Sequence, residues 1–213
     1  MTNILDANKF KVFYISIKEI KYCIFPSKYC DYTQYNLQKN HPHAGIDRGV
    51  FREDPNGFIK INSSNWDSKP GVLFTSLLEY KALLNHYNGK QNWKHSKFAQ
   101  RYANFVKINK IKDRGLDYKN ASNFLSGREK QINRLFDSII KNSIYPSNKR
   151  KNKKLFNDNI SVVLTKNNKL YFNNRGHHRL SIAKIIGLEK IPIKISVAKS
   201  KSNLKKFLSK VIS

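Results

Sequence analysis

The sequence predicts a mixed α/β fold, and two patterns within its 213 residues carry that prediction. Short runs of β-branched and aromatic residues stand near the N-terminus and again after residue 158, which is typical of strands. Between them, longer stretches repeat apolar residues every three or four positions, which is typical of amphipathic helices. At this length one packed domain is expected, and the hydrophobic content of 39% supplies its core.

The predicted elements change type several times along the chain. Strands are assigned where β-branched and aromatic residues cluster or alternate with polar ones, and helices where apolar positions recur at helical spacing. Turn-rich sequence over 21–70 separates the first strand from the first helix. The predicted strands are 10–20, 58–61, 159–165, 169–173 and 191–197. The predicted helices are 72–88, 94–107, 122–141, 178–187 and 201–211.

Helical periodicity also predicts which side chains are buried, because apolar residues on one face of a helix turn toward the core. On the first helix these are Leu73, Leu77, Tyr80, Leu84 and Tyr87. On the third helix they are Leu125, Ile132, Leu135, Phe136, Ile139 and Ile140.

The chain carries 41 Lys and Arg against 14 Asp and Glu, a formal net charge of +27. Such a field concentrates polyanions, of which nucleic acid is the commonest; an anionic membrane, an acidic polysaccharide or nucleotides would suit the same charge. Charge runs are also common in solvated loops, and that alternative stays open. The residues predicted to bind nucleic acid are Lys149, Arg150, Lys151, Lys153 and Lys154 in a proline-led loop, and Lys205 and Lys206 in the last helix.

The junction between the strand predicted over 169–173 and the helix predicted over 178–187 contains Gly176, His177, His178 and Arg179. Glycine lets a backbone approach a ligand closely, and the first turn of a helix offers unpaired N–H groups and a positive dipole end. Basic side chains at that end are unfavourable unless an anion is bound. We therefore expect a phosphate site: Arg179 clamps the oxygens, His178 donates to them, Ser181 adds a hydroxyl, and His177 lies at the surface. The alternative is a glycine turn whose side chains merely cap the helix.

The sequence contains no run of about 18 apolar residues that would predict a membrane span. The N-terminal residues lack the basic head and long apolar stretch of a secretory signal. Two cysteines, Cys23 and Cys30, are too few for a disulfide scaffold and are expected to be reduced. These features predict a cytoplasmic protein with no structural metal.

From Arg134 onward, the order of features resembles the ParB/sulfiredoxin superfamily. The shared pattern is a helix end, two strands joined by a turn, a Gly-x-His-Arg loop that opens a helix, and a strand beginning Ile-Pro. The matching residues are Leu135 to Ile139, Gly176 to Arg179, Ala183, Gly187-Leu188 and Ile191 to Ile193. The resemblance implies an α/β module formed by 10–20 and 121–200, with 21–120 as a mainly helical insertion and 201–213 as a basic C-terminal helix.

This resemblance further implies nucleotide-phosphate binding at Gly176 to Arg179, with ATP or CTP and magnesium as cofactors. Branches of the superfamily bind CTP as DNA clamps, use ATP to repair an oxidised cysteine, or phosphorylate free serine. The chain departs from each of them. His177 stands where sulfiredoxins have their catalytic cysteine. Only a short basic tail follows the module, where ParB proteins have a helix-turn-helix domain. Arg175 stands where many relatives have an Asp.

Two acidic residues are candidate catalytic bases if the chain transfers phosphate. In the serine-kinase branch a Glu after the first strand acts on the substrate hydroxyl, and Glu19 ends the predicted first strand here. The alternative is a solvated surface Glu. Asp67, in a turn-rich segment, is suited to act as the base or to hold magnesium; the alternative is an Asp that caps a helix near Lys69 beside a buried Trp66.

Two hypotheses of function follow from these observations. The first is an NTP-dependent phosphotransferase or NTPase switch that acts through Gly176 to Arg179. The second is a nucleic-acid-binding protein, either non-enzymatic or nuclease-like, that uses the basic loop and the last helix.

Overall fold

The computed structural model describes residues 12–24, 59–67, 71–108, 120–144, 159–173 and 175–212, and it confirms a mixed α/β fold. Seven strands and five α-helices lie within these ranges. The strands are β1 (Phe13–Ser16), β2 (Ile20–Cys23), β3 (Lys60–Ile61), β4 (Val72–Leu73), β5 (Ile160–Leu164), β6 (Leu170–Phe172) and β7 (Lys190–Ala198). The helices are α1 (Leu78–Tyr87), α2 (Lys97–Ile108), α3 (Ala121–Asn142), α4 (His177–Ile185) and α5 (Lys201–Ile212).

All seven strands belong to one mixed sheet with the order β1-β7-β5-β6-β2-β4, while β3 pairs in parallel with the second half of β7. β5 runs parallel to β7 and antiparallel to β6, and β6 runs parallel to β2. The hairpin between β5 and β6 turns through Asn168, whose φ of 56° lies in the left-handed region that asparagine tolerates.

The sheet is strongly curved, because three residues connect two strands that lie far apart in it. β1 and β2 are consecutive in sequence, yet β7, β5 and β6 lie between them in the sheet. In a flat sheet four strand spacings would separate them by about 19 Å. The chain from Ser16 to Ile20 reaches at most about 14 Å when extended, and it contains a 3-10 helix over Ile17–Glu19. The strand predicted over 10–20 is therefore wrong in its second half: it contains β1, the 3-10 turn and only the first residue of β2.

Helices cover one face of the sheet and also enclose a second core. The main core packs aliphatic residues of the sheet, such as Val162 and Ile193, against Leu180 of α4 and Leu204 of α5. A second core around the fully buried Trp93 lies among α1, α2 and α3. Since α1 and α3 both contact α4, the helical layer reaches the N-terminal region of that helix.

Two predictions about the helices are wrong, and the reasons are physical. The helix predicted over 72–88 begins only at Leu78, because β4 pairs with β2 and Phe74–Ser76 form a 3-10 turn. Leu73 is consequently half exposed. On α3, Ile140 is 59% exposed although the periodicity predicts burial. Ile139 faces the core, and the next residue lies about 100° further around the helix.

The segment 21–120 supplies strands as well as helices. It contributes most of β2, together with β3 and β4, to the common sheet, and it also provides α1 and α2. The division into a module and an insertion stays a prediction from the resemblance. Among the described residues, no helix combines the length and the apolarity that a bilayer crossing needs.

Candidate functional site

The Gly176 loop, defined as residues 175–179, includes the first turn of α4 and lies against β5. Ser161 N donates to Arg175 O at 3.0 Å, and Leu180 N donates to Gly176 O at 2.8 Å. Gly176 has a φ of +84°, and a Cβ added there would lie 2.8 Å from Ile160 Cα. Any larger residue would therefore clash with β5 and strain the backbone. The helix begins at His177 without a side-chain cap.

A buried carboxylate from α1 contacts both histidines of the Gly176 loop. Glu79 Oε2 lies 3.0 Å from His177 Nδ1, and Glu79 Oε1 lies 2.9 Å from His178 Nε2. The Glu79 side chain is 2% exposed, and those of His177 and His178 are 13% and 16% exposed. The expectation that His177 lies at the surface is wrong, because its ring stacks on Phe172 at a centroid distance of 4.9 Å.

Glu79 supplies part of the negative charge that the basic end of α4 requires. Its contacts with His177 and His178 are electrostatic, because neither meets the geometry of a hydrogen bond. Arg175 and Arg179 lie in the same loop, and the uncapped first turn of α4 adds the positive end of the helix dipole. These features attract an external anion.

His177 lies in an apolar setting that disfavours its charged form. Besides Phe172, the ring of Phe74 lies 6.0 Å from its centroid. Burial lowers the pKa of His177; Glu79 raises it by less than that, and His178 lowers it further. Because the net shift is downward from 6.5, His177 is neutral at pH 7.

A buried thiol and a lysine extend the ionisable cluster around Glu79. Cys23, at the end of β2, is a free thiol with no exposed surface. Burial raises the pKa of Cys23 well above its ordinary value and Glu79 raises it further, while Lys184 lowers it. Lys184 Nζ donates to Ile17 O at 3.2 Å, and burial lowers the pKa of this lysine. The thiol therefore stays protonated at neutral pH and is a poor nucleophile.

Two residues predicted to act at the site, Ser181 and Glu19, are placed differently from the prediction. Ser181 lies one turn into α4 and is fully buried, and within the described residues its Oγ makes no hydrogen bond. Its burial argues against direct contact with a ligand at the surface. Glu19 is exposed in the 3-10 helix and does not end a strand. Across the described ranges, no hydrogen bond or ion pair joins it to the Gly176 loop.

Within the described residues Asp67 caps no helix, and its side chain connects three separate segments. Its Oδ1 accepts from Lys199 Nζ at 2.9 Å, and its Oδ2 accepts from Lys166 N at 2.7 Å. Lys199 Nζ also lies 5.9 Å above the ring of Trp66, which is buried as predicted. Burial alone would raise the pKa of Asp67, but these two hydrogen bonds lower it below its ordinary 3.8. The contacts occupy both carboxylate oxygens.

The residues predicted to bind nucleic acid fall into two groups. Lys205 and Lys206 are exposed on α5. The basic loop lies outside the described residues; it comprises Lys149, Arg150, Lys151, Lys153 and Lys154. In the parts of the chain that the structure describes, no three His, Cys, Asp or Glu side chains are grouped so that they could hold a metal ion.

Glu79 is the functional candidate that the sequence analysis missed. Helical periodicity predicts burial of Leu73, Tyr80 and Leu84, whereas the side chains that α1 buries most deeply include Glu79 and Leu83. These two are four positions apart and share a helix face. A glutamate on a buried face, in a chain with only 14 acidic residues, was the signal available in the sequence.

No protein-family model, curated protein or solved structure matches this chain. The resemblance to the ParB/sulfiredoxin superfamily therefore rests on the quoted motifs alone. Function has to be argued from the chemistry of the site.

Proposed function

We propose that the chain binds the phosphates of a nucleoside triphosphate at the Gly176 loop and transfers or hydrolyses the terminal phosphate. The observation that carries the proposal is the contact of one buried carboxylate, Glu79, with both imidazoles at the first turn of α4, at 3.0 and 2.9 Å. A carboxylate behind a histidine is an arrangement suited to proton transfer. A cytoplasmic location fits a free Cys23 and a nucleotide ligand.

Phosphate binding would use the backbone and the arginines of the loop. The first-turn N–H groups of α4 have no side-chain cap, and the positive end of the helix dipole favours an anion there. Arg179 is partly exposed and can make two parallel bonds to phosphate oxygens. ATP and CTP fit these contacts equally well, and either would enter as its magnesium complex, with the metal held largely by the phosphates.

His178 is better placed than His177 for proton transfer. His177 is neutral and its ring stacks on Phe172, whereas among the described residues no aromatic ring stacks on His178. With Nε2 turned to Glu79, the other ring nitrogen of His178, Nδ1, is left to act on the substrate. When both nitrogens carry protons, Nδ1 donates to a phosphate oxygen while Glu79 neutralises the charge. The imperfect alignment without a ligand is common at catalytic hydrogen bonds.

The acidic residues predicted as bases stay predictions and have no part in this proposal. Glu19 is exposed in the turn before β2, and both carboxylate oxygens of Asp67 are engaged by lysines. Positioning and charge neutralisation by the Gly176 loop would supply most of the rate enhancement, as in other phosphoryl transfers.

Calorimetric titration with MgATP and MgCTP, together with an assay for release of the γ-phosphate, tests the proposal. We expect Arg179→Ala to weaken binding at least about 10-fold, since it removes a charge-assisted pair of hydrogen bonds. Glu79→Gln should keep the affinity but lower turnover by about 100-fold or more, the usual contribution of proton transfer. His95→Gln, at an exposed histidine in the 3-10 helix Trp93–His95, is the control. Nucleotide binding that is unchanged in Arg179→Ala would contradict the proposal.

A further inference from the structure

We propose that the lysine face of α5 binds the phosphodiester backbone of duplex nucleic acid, at a surface separate from the Gly176 loop. Helix α5 contains four lysines and no acidic residue. All four are exposed: Lys201, Lys205, Lys206 and Lys210. The net charge of +27 on the whole chain attracts a polyanion toward this surface.

The lysines of α5 form two rows of like charge along the helix. Lys201 and Lys205 are four positions apart, as are Lys206 and Lys210, so the members of each row are neighbours on the helix surface. Like charges at this spacing repel each other. The phosphates of a nucleic acid backbone would relieve this repulsion while releasing their counterions.

A basic amphipathic helix is also typical of membrane surfaces, but the apolar face of α5 is already in use. Leu204 and Phe207 are buried in the main core, and the ring of Phe207 packs edge-to-face on Phe13 at 5.9 Å. Leu208 and Val211 pack against the same core. Binding to a bilayer interface requires an apolar face that can insert into it, and the apolar face of α5 is buried in the main core. Only the charged face of α5 is therefore available to a partner.

The exposed residues of α5 favour a duplex over a single strand. They are lysines and serines, and none of them is aromatic. Proteins that hold single strands stack the bases on aromatic side chains, which this face lacks. Lysines that meet only phosphates carry no sequence information, so the binding should depend on salt and not on sequence.

Fluorescence anisotropy with a labelled DNA duplex of about 20 base pairs tests the inference over about 50 to 200 mM salt. The variant replaces three lysines, as Lys201→Gln, Lys205→Gln and Lys206→Gln. The matched control removes the same charge from the helical layer, as Lys90→Gln, Lys97→Gln and Lys130→Gln, all at exposed positions. Glutamine has nearly the helix propensity of lysine, so both proteins should fold, which circular dichroism would verify.

We expect the α5 variant to lose about 2.7 from the slope of log affinity against log salt, at about 0.9 for each phosphate contact. At about 0.1 M salt its affinity should fall on the order of 100-fold, while the control stays within about 10-fold of wild type. Equal losses in both variants, a salt-independent affinity, or tighter binding to phosphatidylserine vesicles or to a single strand would each overturn the inference. Since α5 is not part of the nucleotide site, MgATP binding should be the same in both variants and wild type.

Discussion

Replacing Gly176 by alanine measures how tightly the candidate site is held against the sheet. A residue with a side chain at φ +84° would be strained by about 1–2 kcal/mol. Its Cβ would also lie 2.8 Å from Ile160 Cα and 2.9 Å from Ile160 Cγ1. Ile160 is 1% exposed and belongs to β5, so it has little room to move. Overpacking of this kind costs a further ~1–3 kcal/mol. The free energy of unfolding should fall by about 2–5 kcal/mol in total.

Gly187→Ala is the matched control for this prediction. Gly187 has a φ of +72°, but nothing lies within 4 Å of a Cβ added there. It should therefore show only the backbone strain of about 1–2 kcal/mol. Urea unfolding of the two variants separates the effects, because both change glycine to alanine in the left-handed region. A Gly176→Ala variant no less stable than Gly187→Ala would refute the close approach of the Gly176 loop to β5.

Two further predictions concern titratable side chains away from the first turn of α4. Because the pKa of Asp67 is lowered in the folded chain, its stabilisation is present above about pH 4 and is lost as the pH falls through the folded pKa. The difference in the free energy of unfolding between wild type and Asp67→Asn should therefore shrink on acidification. A difference that stays constant at all pH values in urea unfolding would contradict this. Cys23 is fully buried and its pKa is raised. In a Cys30→Ser background, a thiol reagent at pH 8 should therefore label Cys23 only when the protein unfolds. Rapid labelling of the folded protein would contradict this, because it would show that the thiol is accessible.

The elements of the fold that depend on residues close in sequence could be predicted from the sequence. The helix predicted over 122–141 is α3 (Ala121–Asn142), which Asn120 caps by accepting from Asn123 N at 3.0 Å. The strand predicted over 191–197 is β7, and the glycine-led loop opens α4 as its residues indicate. In each case a cap, a turn residue or an apolar run acts locally, so the pattern in the sequence and the structure agree.

What the sequence could not predict comes from contacts between distant segments. The strand predicted over 10–20 ends in a 3-10 turn after β1, and residues 21–23, predicted to lie in a turn-rich segment, form most of β2 at a distant position in the sheet. Val72 and Leu73 have helical spacing with later residues, but their pairing with β2 overrides that pattern. The placement of Glu79 against His177 requires α1 to pack on α4, which no local signal encodes.

The contact with Glu79 also changes the interpretation of the two histidines. The sequence alone predicts that His178 donates to phosphate, that His177 lies at the surface, and that the anion comes from outside the chain. The structure places a carboxylate of the chain itself at both imidazoles. An incoming phosphate would therefore share His178 with Glu79, and the proposed proton transfer depends on that shared histidine.

The central claim is that a nucleotide phosphate binds beside His178 while Glu79 stays behind the ring. Nitrogen-15 NMR of the imidazoles, recorded during titration with MgATP, tests this most directly because it reports the protonation of each ring nitrogen. We predict that saturating MgATP shifts the His178 ring toward the doubly protonated form in wild type, and that this shift is lost in Glu79→Gln. Ring signals of His178 that stay unchanged while MgATP binds would contradict the account, because the nucleotide would then occupy another part of the molecule.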